Sequence, residues 1–103
     1  MSDLIEVATL GELQDIIVAN TNVVVEFGAA WCGPCKKFLP HFTEFAKRHP
    51  EVVCVKVDVD SDPDFLSEYQ IQSVPQVMSF YDGSYVSHLT GRTVLQLEKE
   101  ISS

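Results

Sequence analysis

Residues 23–35 read VVVEFGAAWCGPC and contain the pattern of a buried strand followed by the start of a helix. Val23 to Phe27 form a continuous and mostly β-branched run, which is typical of a strand buried on both faces. From Pro34 onward apolar residues recur at helical spacing, so the sequence predicts a helix that begins just after Cys32. A Cys-x-x-Cys sequence therefore stands where a central strand leads into a helix.

The segments on either side of this run alternate between strand and helix patterns. The other predicted strands lie at residues 4–7, 52–57, 77–81 and 85–90. Thr9 and Thr93 each precede a Glu or Gln by three residues, which is the capping-box pattern of a helix start. Asp62-Pro63 predicts the start of a third helix, and Asp82-Gly83 suits a tight turn between the last two strands. These elements predict an α/β fold with a mixed central sheet of about five strands and four flanking helices.

The whole chain, residues 1–103, is predicted to form a single domain. Its 103 residues are 46% hydrophobic, and a chain of this length buries roughly 60–70% of its unfolded surface, which is enough for a core. It contains no repeat, low-complexity tract or Gly/Ser linker that would separate two domains.

Charge and hydropathy exclude several classes of partner. The formal net charge is −8, so nucleic acid and anionic membrane surfaces are poor partners. No apolar stretch approaches the ~20 residues of a membrane span. The first residues, MSDLIEV, lack the basic segment and apolar run of a signal, so we expect a cytoplasmic protein. In a reducing cytosol, a cysteine pair is more often catalytic or metal-binding than structural.

The Cys32/Cys35 pair is open to three interpretations. A zinc site needs two further ligands, and the remaining candidates show no paired spacing. Those candidates are Cys54, His41, His49 and His88. A structural disulfide closing so short a loop would constrain the unfolded chain very little. We therefore expect reversible redox chemistry and no metal, with Cys54 as a buried strand residue.

The physical case for redox chemistry rests on the thiolate. A cysteine with a pKa near 8.5 is only ~3% ionised at pH 7, and a helix N-terminus can lower that pKa by about 1 to 1.5 units. The thiolate fraction then rises to roughly a quarter to a half. Cys32 stands at the helix start, whereas Cys35 lies one turn in and is expected to be less exposed. Cys32 is therefore predicted to be the nucleophile and Cys35 the resolving thiol.

The chain resembles the thioredoxin family over essentially its whole length. The likeness lies in Trp31-Cys32-Gly33-Pro34-Cys35, in Val74-Pro75 after the third predicted helix, in Gly83 of the hairpin and in Gly91 before the last helix. It implies a thioredoxin fold and a monomeric protein-disulfide reductase. In that activity Cys32 attacks a client disulfide and Cys35 releases the reduced client.

The resemblance also implies the partners. Such a protein binds no cofactor of its own, because an NADPH-dependent thioredoxin reductase recycles the cysteine pair. Typical clients are peroxiredoxins, methionine sulfoxide reductases and ribonucleotide reductase. An oxidase or isomerase of the same fold is the nearest rival, but Gly33-Pro34 between the cysteines argues against it. A binding subunit that keeps its cysteines by chance is the rival from another class.

Glu26 is a carboxylate in the middle of a predicted buried strand. Desolvation should raise its pKa toward neutrality, unless the side chain points outward from a less buried strand. The resemblance places it where the family has an aspartate that accepts the proton of the resolving thiol through water. Glu26 is expected to serve Cys35 in this way, through water or by direct contact. Lys56 is either its partner on the next strand or a plain surface lysine.

The resemblance further implies an apolar surface that docks clients. Its residues are Trp31, Gly33, Pro34, Val59, Val74, Pro75 and Gly91. By base rate the Val74-Pro75 bond would be trans, since only ~5–6% of such bonds are cis, but the resemblance implies a cis bond beside the sulfurs. Gly28 replaces a larger residue found in some family members, so the surface is expected to be shallower there.

Overall fold

The computed structural model describes residues 3–102. Met1, Ser2 and Ser103, which belong to the predicted domain of residues 1–103, lie outside the described residues. The elements follow in the order β1 (Leu4–Val7), α1 (Leu10–Ala19), β2 (Asn22–Gly28), α2 (Gly33–Arg48), β3 (Val53–Asp58), α3 (Asp64–Glu68), β4 (Gln76–Tyr81), β5 (Ser84–Leu89) and α4 (Val94–Ile101).

The strands form one mixed sheet with the order β1-β3-β2-β4-β5. β3 pairs in parallel with both β1 and β2, whereas β4 runs antiparallel to β2 and to β5. β2 therefore lies at the centre of the sheet, as the mostly β-branched run from Val23 to Phe27 predicts. The predicted α/β class, the five strands and the four helices are confirmed.

Local sequence signals set most element boundaries. Thr9 Oγ1 accepts the Glu12 amide at 3.2 Å while Glu12 Oε1 accepts the Thr9 amide at 3.0 Å, so the predicted capping box forms. Thr93 likewise accepts the Gln96 amide at 3.3 Å. Asp82 and Gly83 have φ angles of 52° and 85°, the left-handed conformation that a tight hairpin turn requires.

Asp62 differs from its predicted role at the start of α3. Pro63 occupies the N-cap position and the helix begins at Asp64. The Asp62 carboxylate accepts the Asp64 amide through Oδ1 at 3.0 Å and the Leu10 amide of α1 through Oδ2 at 2.9 Å. Asp62 therefore joins two helices, because its second oxygen reaches an amide that is distant in sequence.

The two faces of β2 carry separate cores. Val23, Val25 and Phe27 face α1 and α3, in a cluster with Leu13, Ile17 and Phe65. Val24 lies on the opposite face, in the cluster that contains the α2 phenylalanines and Leu97 of α4. Phe38, Phe42 and Phe45 are at most 2% exposed, so the α2 phenylalanines are core residues. Because side chains alternate along a strand, Glu26 lies on the α2 side with Val24.

A charged cluster closes the end of α2 against α4. His49 forms the C-cap of α2; its Nε2 lies 2.7 Å from Glu98 Oε2, and its Nδ1 lies 3.1 Å from Glu51 Oε1. Arg48 adds a longer contact, with Nη1 3.8 Å from Glu98 Oε1. The packing of α4 brings Glu98 to one side of the His49 ring, and Glu51, two residues further along the chain, lies at the other. The hydrogen bond to Glu98 raises the pKa of His49 above its ordinary value.

The His49 cluster predicts a pH-dependent stability. A histidine whose folded pKa is raised stabilises the fold fully below its unfolded pKa of about 6.5 and loses that contribution as the pH rises through the folded value. We expect His49→Gln to lower the free energy of unfolding by about 0.5–1 kcal/mol near pH 5.5 and by much less near pH 8.5. Urea unfolding at both pH values measures the difference. His41→Gln, an exposed histidine on the same helix, is the control; an equal pH dependence in both variants would contradict the assignment.

Candidate active site

Cys32 and Cys35 form a disulfide at the start of α2. Cys32 is the N-cap residue, and the Cys35 amide donates to Cys32 Sγ at 3.2 Å. The Lys36 amide donates to the Cys32 carbonyl at 3.3 Å and begins the helical ladder. A thiolate formed at Cys32 would thus lie at the positive end of a 16-residue helix with an amide directed at its sulfur.

Exposure does not separate the two cysteines in the way the sequence predicts. Cys32 is 4% exposed and Cys35 is 8% exposed, so Cys35 is not the less exposed residue in this oxidised state. The distinction between them rests on position in the helix: Cys32 Sγ receives an amide hydrogen bond, whereas Cys35 lies inside the first turn.

Two loops from elsewhere in the chain flank the disulfide. The Val74-Pro75 bond is cis, and the Val74 carbonyl oxygen lies 3.8 Å from Cys32 Sγ. Trp31 is 70% exposed, and its Nε1 donates to Asp60 Oδ2 at 2.9 Å. The indole is therefore a surface group held at the edge of the site rather than a core residue.

The predicted docking surface is only partly exposed. Its accessible part, which we name the docking patch, consists of exposed Trp31, Gly33 and Pro34 with half-buried Val74 and Pro75. Val59 is 4% exposed and Gly91 is buried, so neither residue is accessible to a client. Val59 packs into the core beyond β3. At Gly91 an added Cβ would lie 2.7 Å from Gln96 Cβ, so that glycine serves close packing against α4.

Glu26 is buried directly behind the cysteines. Only 3% of the residue is exposed, which excludes an outward-pointing side chain. Its Oε2 has no hydrogen-bond partner among residues 3–102. Burial raises the pKa of Glu26 to about 7, against the opposing charges of Lys56 and Arg92. The carboxyl can therefore gain or lose a proton near neutral pH.

Lys56 lies beside Glu26 without forming an ion pair with it. The two residues are in register on β3 and β2, but Lys56 Nζ makes its ion pair with Glu6 Oε1, at 3.9 Å. Within residues 3–102, no nitrogen–oxygen distance of 4.0 Å or less joins Lys56 to Glu26. The lysine thus acts on the carboxyl by its charge alone.

Arg92 is a site residue that the sequence reading missed. Its Nη1 donates to the carbonyls of Leu89 and Gly91 at 3.0 and 2.8 Å, and its Nη2 donates to the Pro75 carbonyl at 3.4 Å. The guanidinium also lies 5.4 Å from the centre of the Phe38 ring. Arg92 therefore connects the Pro75 loop to α2. Only its position next to Gly91 in the sequence could have drawn attention to it.

The third cysteine lies in the core, apart from the disulfide. Cys54 is 1% exposed, as predicted for a small apolar residue of a buried strand, and burial raises the pKa of its thiol to about 12. Across residues 3–102, no group of three His, Cys, Asp or Glu side chains is placed to hold a metal ion. None of the described helices has the length and apolar character needed to cross a bilayer.

Comparison with known proteins identifies the family. Residues 5–103 match the thioredoxin family. The mitochondrial thioredoxin-3 of Saccharomyces cerevisiae is 34% identical over 100 residues, which cover 97% of this chain and 79% of that protein. Its oxidized crystal structure superposes with a TM-score of 0.87 and covers 99% of this chain and 98% of that one.

A further solved structure links this fold to peroxiredoxin chemistry. It has a TM-score of 0.86 and 33% identity, and it covers 96% of this chain and 93% of that chain. It is described as the basis of the thiol resolving mechanism in a yeast mitochondrial 1-Cys peroxiredoxin via glutathione and thioredoxin systems.

The expectation of a cytoplasmic protein is contradicted by these relatives. Yeast thioredoxin-3 is named as mitochondrial, and so is a mouse thioredoxin that is 42% identical over 82 residues, covering 78% of this chain and 49% of that protein. A reduced cysteine pair therefore does not identify the cytosol, because domains similar to this one carry mitochondrial names.

The fold, the cysteine pair and the relatives agree on the chemistry. Thioredoxins act through a redox-active cysteine pair and need no bound cofactor. The chain belongs to the thioredoxin family, and with Cys32 and Cys35 as its redox-active pair it is a thiol-disulfide oxidoreductase.

Proposed function

We propose that the protein reduces client disulfides with Cys32 as the nucleophile and Cys35 as the resolving thiol. The observation that carries this assignment is the 3.2 Å hydrogen bond from the Cys35 amide to Cys32 Sγ at the N-cap of α2. An amide directed at a sulfur favours the thiolate over the thiol, and the helix dipole acts in the same direction. Among residues 3–102 no amide donates to Cys35 Sγ, and Cys35 acts as the second nucleophile.

The reaction runs in two displacements. The Cys32 thiolate attacks one sulfur of the client disulfide, that S–S bond breaks, and the first client thiolate leaves and takes up a proton. Glu26 accepts the proton of the Cys35 thiol. The Cys35 thiolate then attacks Cys32 Sγ, the mixed disulfide breaks, and the second client thiolate leaves and is protonated. The client gains two electrons, and the Cys32–Cys35 disulfide is the oxidised product.

Glu26 suits the role of proton acceptor because its pKa of about 7 lies close to the working pH. A carboxylate with an ordinary pKa would be a weaker base toward a thiol, and one with a much higher pKa would already hold a proton. The positive charges of Lys56 and Arg92 keep the pKa from rising further. We assign both residues as electrostatic positioning groups for Glu26.

The docking patch is the proposed contact surface for clients. Its residues surround the end of the disulfide, and the Val74 carbonyl beside Cys32 is available to a client backbone. Exposed apolar groups around a reactive sulfur suit flexible client segments. The docking patch does not restrict the protein to clients of one sequence.

We further propose the partners and the organisation of the chain. The chain folds as one domain, residues 1–103, and acts as a monomer. An NADPH-dependent thioredoxin reductase recycles the disulfide. Peroxiredoxins are the best-supported clients, because one structure similar to this chain concerns the thiol resolving mechanism in a yeast mitochondrial 1-Cys peroxiredoxin. Methionine sulfoxide reductases and ribonucleotide reductase are further clients. Nucleic acid and membranes are not partners, in keeping with the net charge of −8.

The assignment of the two cysteines predicts which variant traps a client. We expect Cys35→Ser to attack a disulfide and stop at the mixed disulfide, because Cys32 keeps its stabilising surroundings while the resolving thiol is gone. The reduced variant should release about one equivalent of thionitrobenzoate from Ellman's reagent, and the wild-type pair about two.

Cys32→Ser is the matched control and should trap nothing. Insulin reduction with NADPH and a thioredoxin reductase tests the complete cycle. Trapping by Cys32→Ser instead of Cys35→Ser would reverse the assignment. A wild type that stays inactive after reduction with dithiothreitol would favour a binding subunit that only retains the fold.

The role of Glu26 predicts a pH profile for the second displacement. In the wild type its rate should rise as the pH passes through about 7, since Glu26 must be ionised to accept the proton. We expect Glu26→Gln to remove this inflection and to slow the step at least about tenfold near pH 8. Stopped-flow detection of the second thionitrobenzoate measures it. An unchanged profile would remove Glu26 from the mechanism.

The same variant predicts a change in stability. An acid with a raised folded pKa destabilises the fold as the pH rises from its unfolded value through about 7. Glu26→Gln should therefore match the wild type near pH 4.5 and exceed it by about 3 kcal/mol near pH 8.5. Urea unfolding at the two pH values gives the comparison. Equal stabilities at both would mean that the carboxyl is not desolvated in solution.

A further inference from the structure

Gly28 stands between the Glu26 carboxyl and the Cys35 sulfur. A Cβ built on this glycine would lie 2.5 Å from Glu26 Oε2, 3.2 Å from Cys35 Sγ and 3.4 Å from Cys35 Cβ. Real Cβ atoms essentially never come within 3.0 Å of another heavy atom, so an alanine would force the carboxyl to move. Because one methyl group would touch both atoms, the oxygen and the sulfur share the space that Gly28 leaves.

The Glu26 carboxyl oxygen in this space lacks a hydrogen-bond donor. Glu26 Oε2 is buried and accepts no hydrogen bond from any residue between 3 and 102. In the oxidised state Cys35 carries no proton, so its sulfur has no donor to offer. On reduction the Cys35 thiol gains an S–H beside the oxygen. The unpartnered oxygen is thus placed to accept the Cys35 proton in the reduced state of the pair, when that proton must be removed.

A small cavity adjoins the same three groups. Its volume is about 390 Å³, and its lining includes Glu26, Gly28 and Cys35. Glu26 Oε2 and Cys35 Sγ both border position 28, and no side chain projects from that position toward either atom. An aspartate would end one methylene earlier, about 1.5 Å short of this position. The long side chain of Glu26 therefore fits the space that is left open because residue 28 has no side chain.

We propose that Gly28 is a positioning residue for the second displacement: the absence of a side chain at position 28 lets the long Glu26 side chain set its carboxyl against Cys35 Sγ. The proposal rests on the proposed role of Glu26 as proton acceptor. Position 28 acts only through Glu26 and touches no client. Its effect is confined to the step in which Cys35 loses its proton.

Four charged groups act on Glu26 or line the adjoining cavity. Lys56 and Asp58 of β3 and Lys36 of α2 line the cavity, and Arg92 lies on the segment between β5 and α4. Lys56 and Arg92 lower the pKa of the carboxyl by their charge. The three atoms nearest to a Cβ at position 28 belong to Glu26 and Cys35 and to none of these four residues, so a changed pH profile would report a displaced carboxyl.

The test is a double-mutant cycle, which compares the wild type, Gly28→Ala, Glu26→Asp and the double variant. Stopped flow with Ellman's reagent reads the attack of Cys32 in the first phase and the attack of Cys35 in the second. We expect Gly28→Ala to leave the first phase unchanged, to slow the second about tenfold and to move its pH midpoint. The double variant should recover most of that rate, because the shorter acid fits beside the methyl group.

The outcomes separate the two claims. A Gly28→Ala protein with the wild-type second phase and midpoint would overturn the role of Gly28, provided that Glu26→Gln is still slow. If Glu26→Gln is also without effect, the proposed function of Glu26 itself fails. Purely additive effects in the cycle would likewise refute a size-matched pair.

Folding defects also give a result. If Gly28→Ala fails to fold while the double variant folds, the clash lies with the Glu26 side chain, as proposed. If neither folds, the backbone and not Glu26 requires the glycine, and the proposal is wrong. Far-ultraviolet circular dichroism and urea unfolding of all four proteins decide between these cases.

Discussion

The pairing of β2 with β3 on one side and β4 on the other determines where the groups of the site lie. Because β2 is hydrogen-bonded along both edges, its register is fixed from Val23 to Phe27. A shift of one residue would turn Glu26 toward α1 and remove it from the cysteines. The parallel pairing with β3 also sets Lys56 beside Glu26. The backbone ladder thus decides which side chain faces the start of α2.

The surroundings of Cys32 favour a negative charge on its side chain, whereas those of Glu26 disfavour one. Cys32 lies at the positive end of a helix, where a negative sulfur is favoured. Glu26 lies in an apolar layer, where a negative oxygen is disfavoured, and burial raises its pKa to about 7. One sulfur therefore gives up its proton readily, while a nearby carboxyl holds a proton unusually well. This difference supports the proposed division of attack and proton uptake between separate side chains.

Sequence patterns predicted the features that depend on neighbours along the chain. The buried strand β2, the Thr9 capping box and the Asp82-Gly83 turn each follow from a few adjacent residues. The start of α2 and the Cys-x-x-Cys pair follow in the same way. The central chemistry was therefore readable before the fold, because a helix start and its cysteines form one continuous segment.

Features that depend on tertiary distance were not readable. The docking surface included Val59, yet the chain turns it into the core after β3. Arg92 was missed because its carbonyl partners come from three separate residues, one of them Pro75. The contact of position 28 with both Glu26 and Cys35 emerges only when α2 packs on the sheet. Periodicity identifies which side of an element is buried, but not which atom it meets.

The burial of Cys54 protects its thiol from reagents in the oxidised protein. When Cys32 and Cys35 are joined, Cys54 is the single free thiol of the three cysteines. It lies in the core beneath α2, and its pKa of about 12 leaves almost no thiolate at neutral pH. A thiol reagent can therefore reach it only when α2 or α4 lifts from the sheet. The slow labelling of one native residue thus reports how often the core opens, without any added probe.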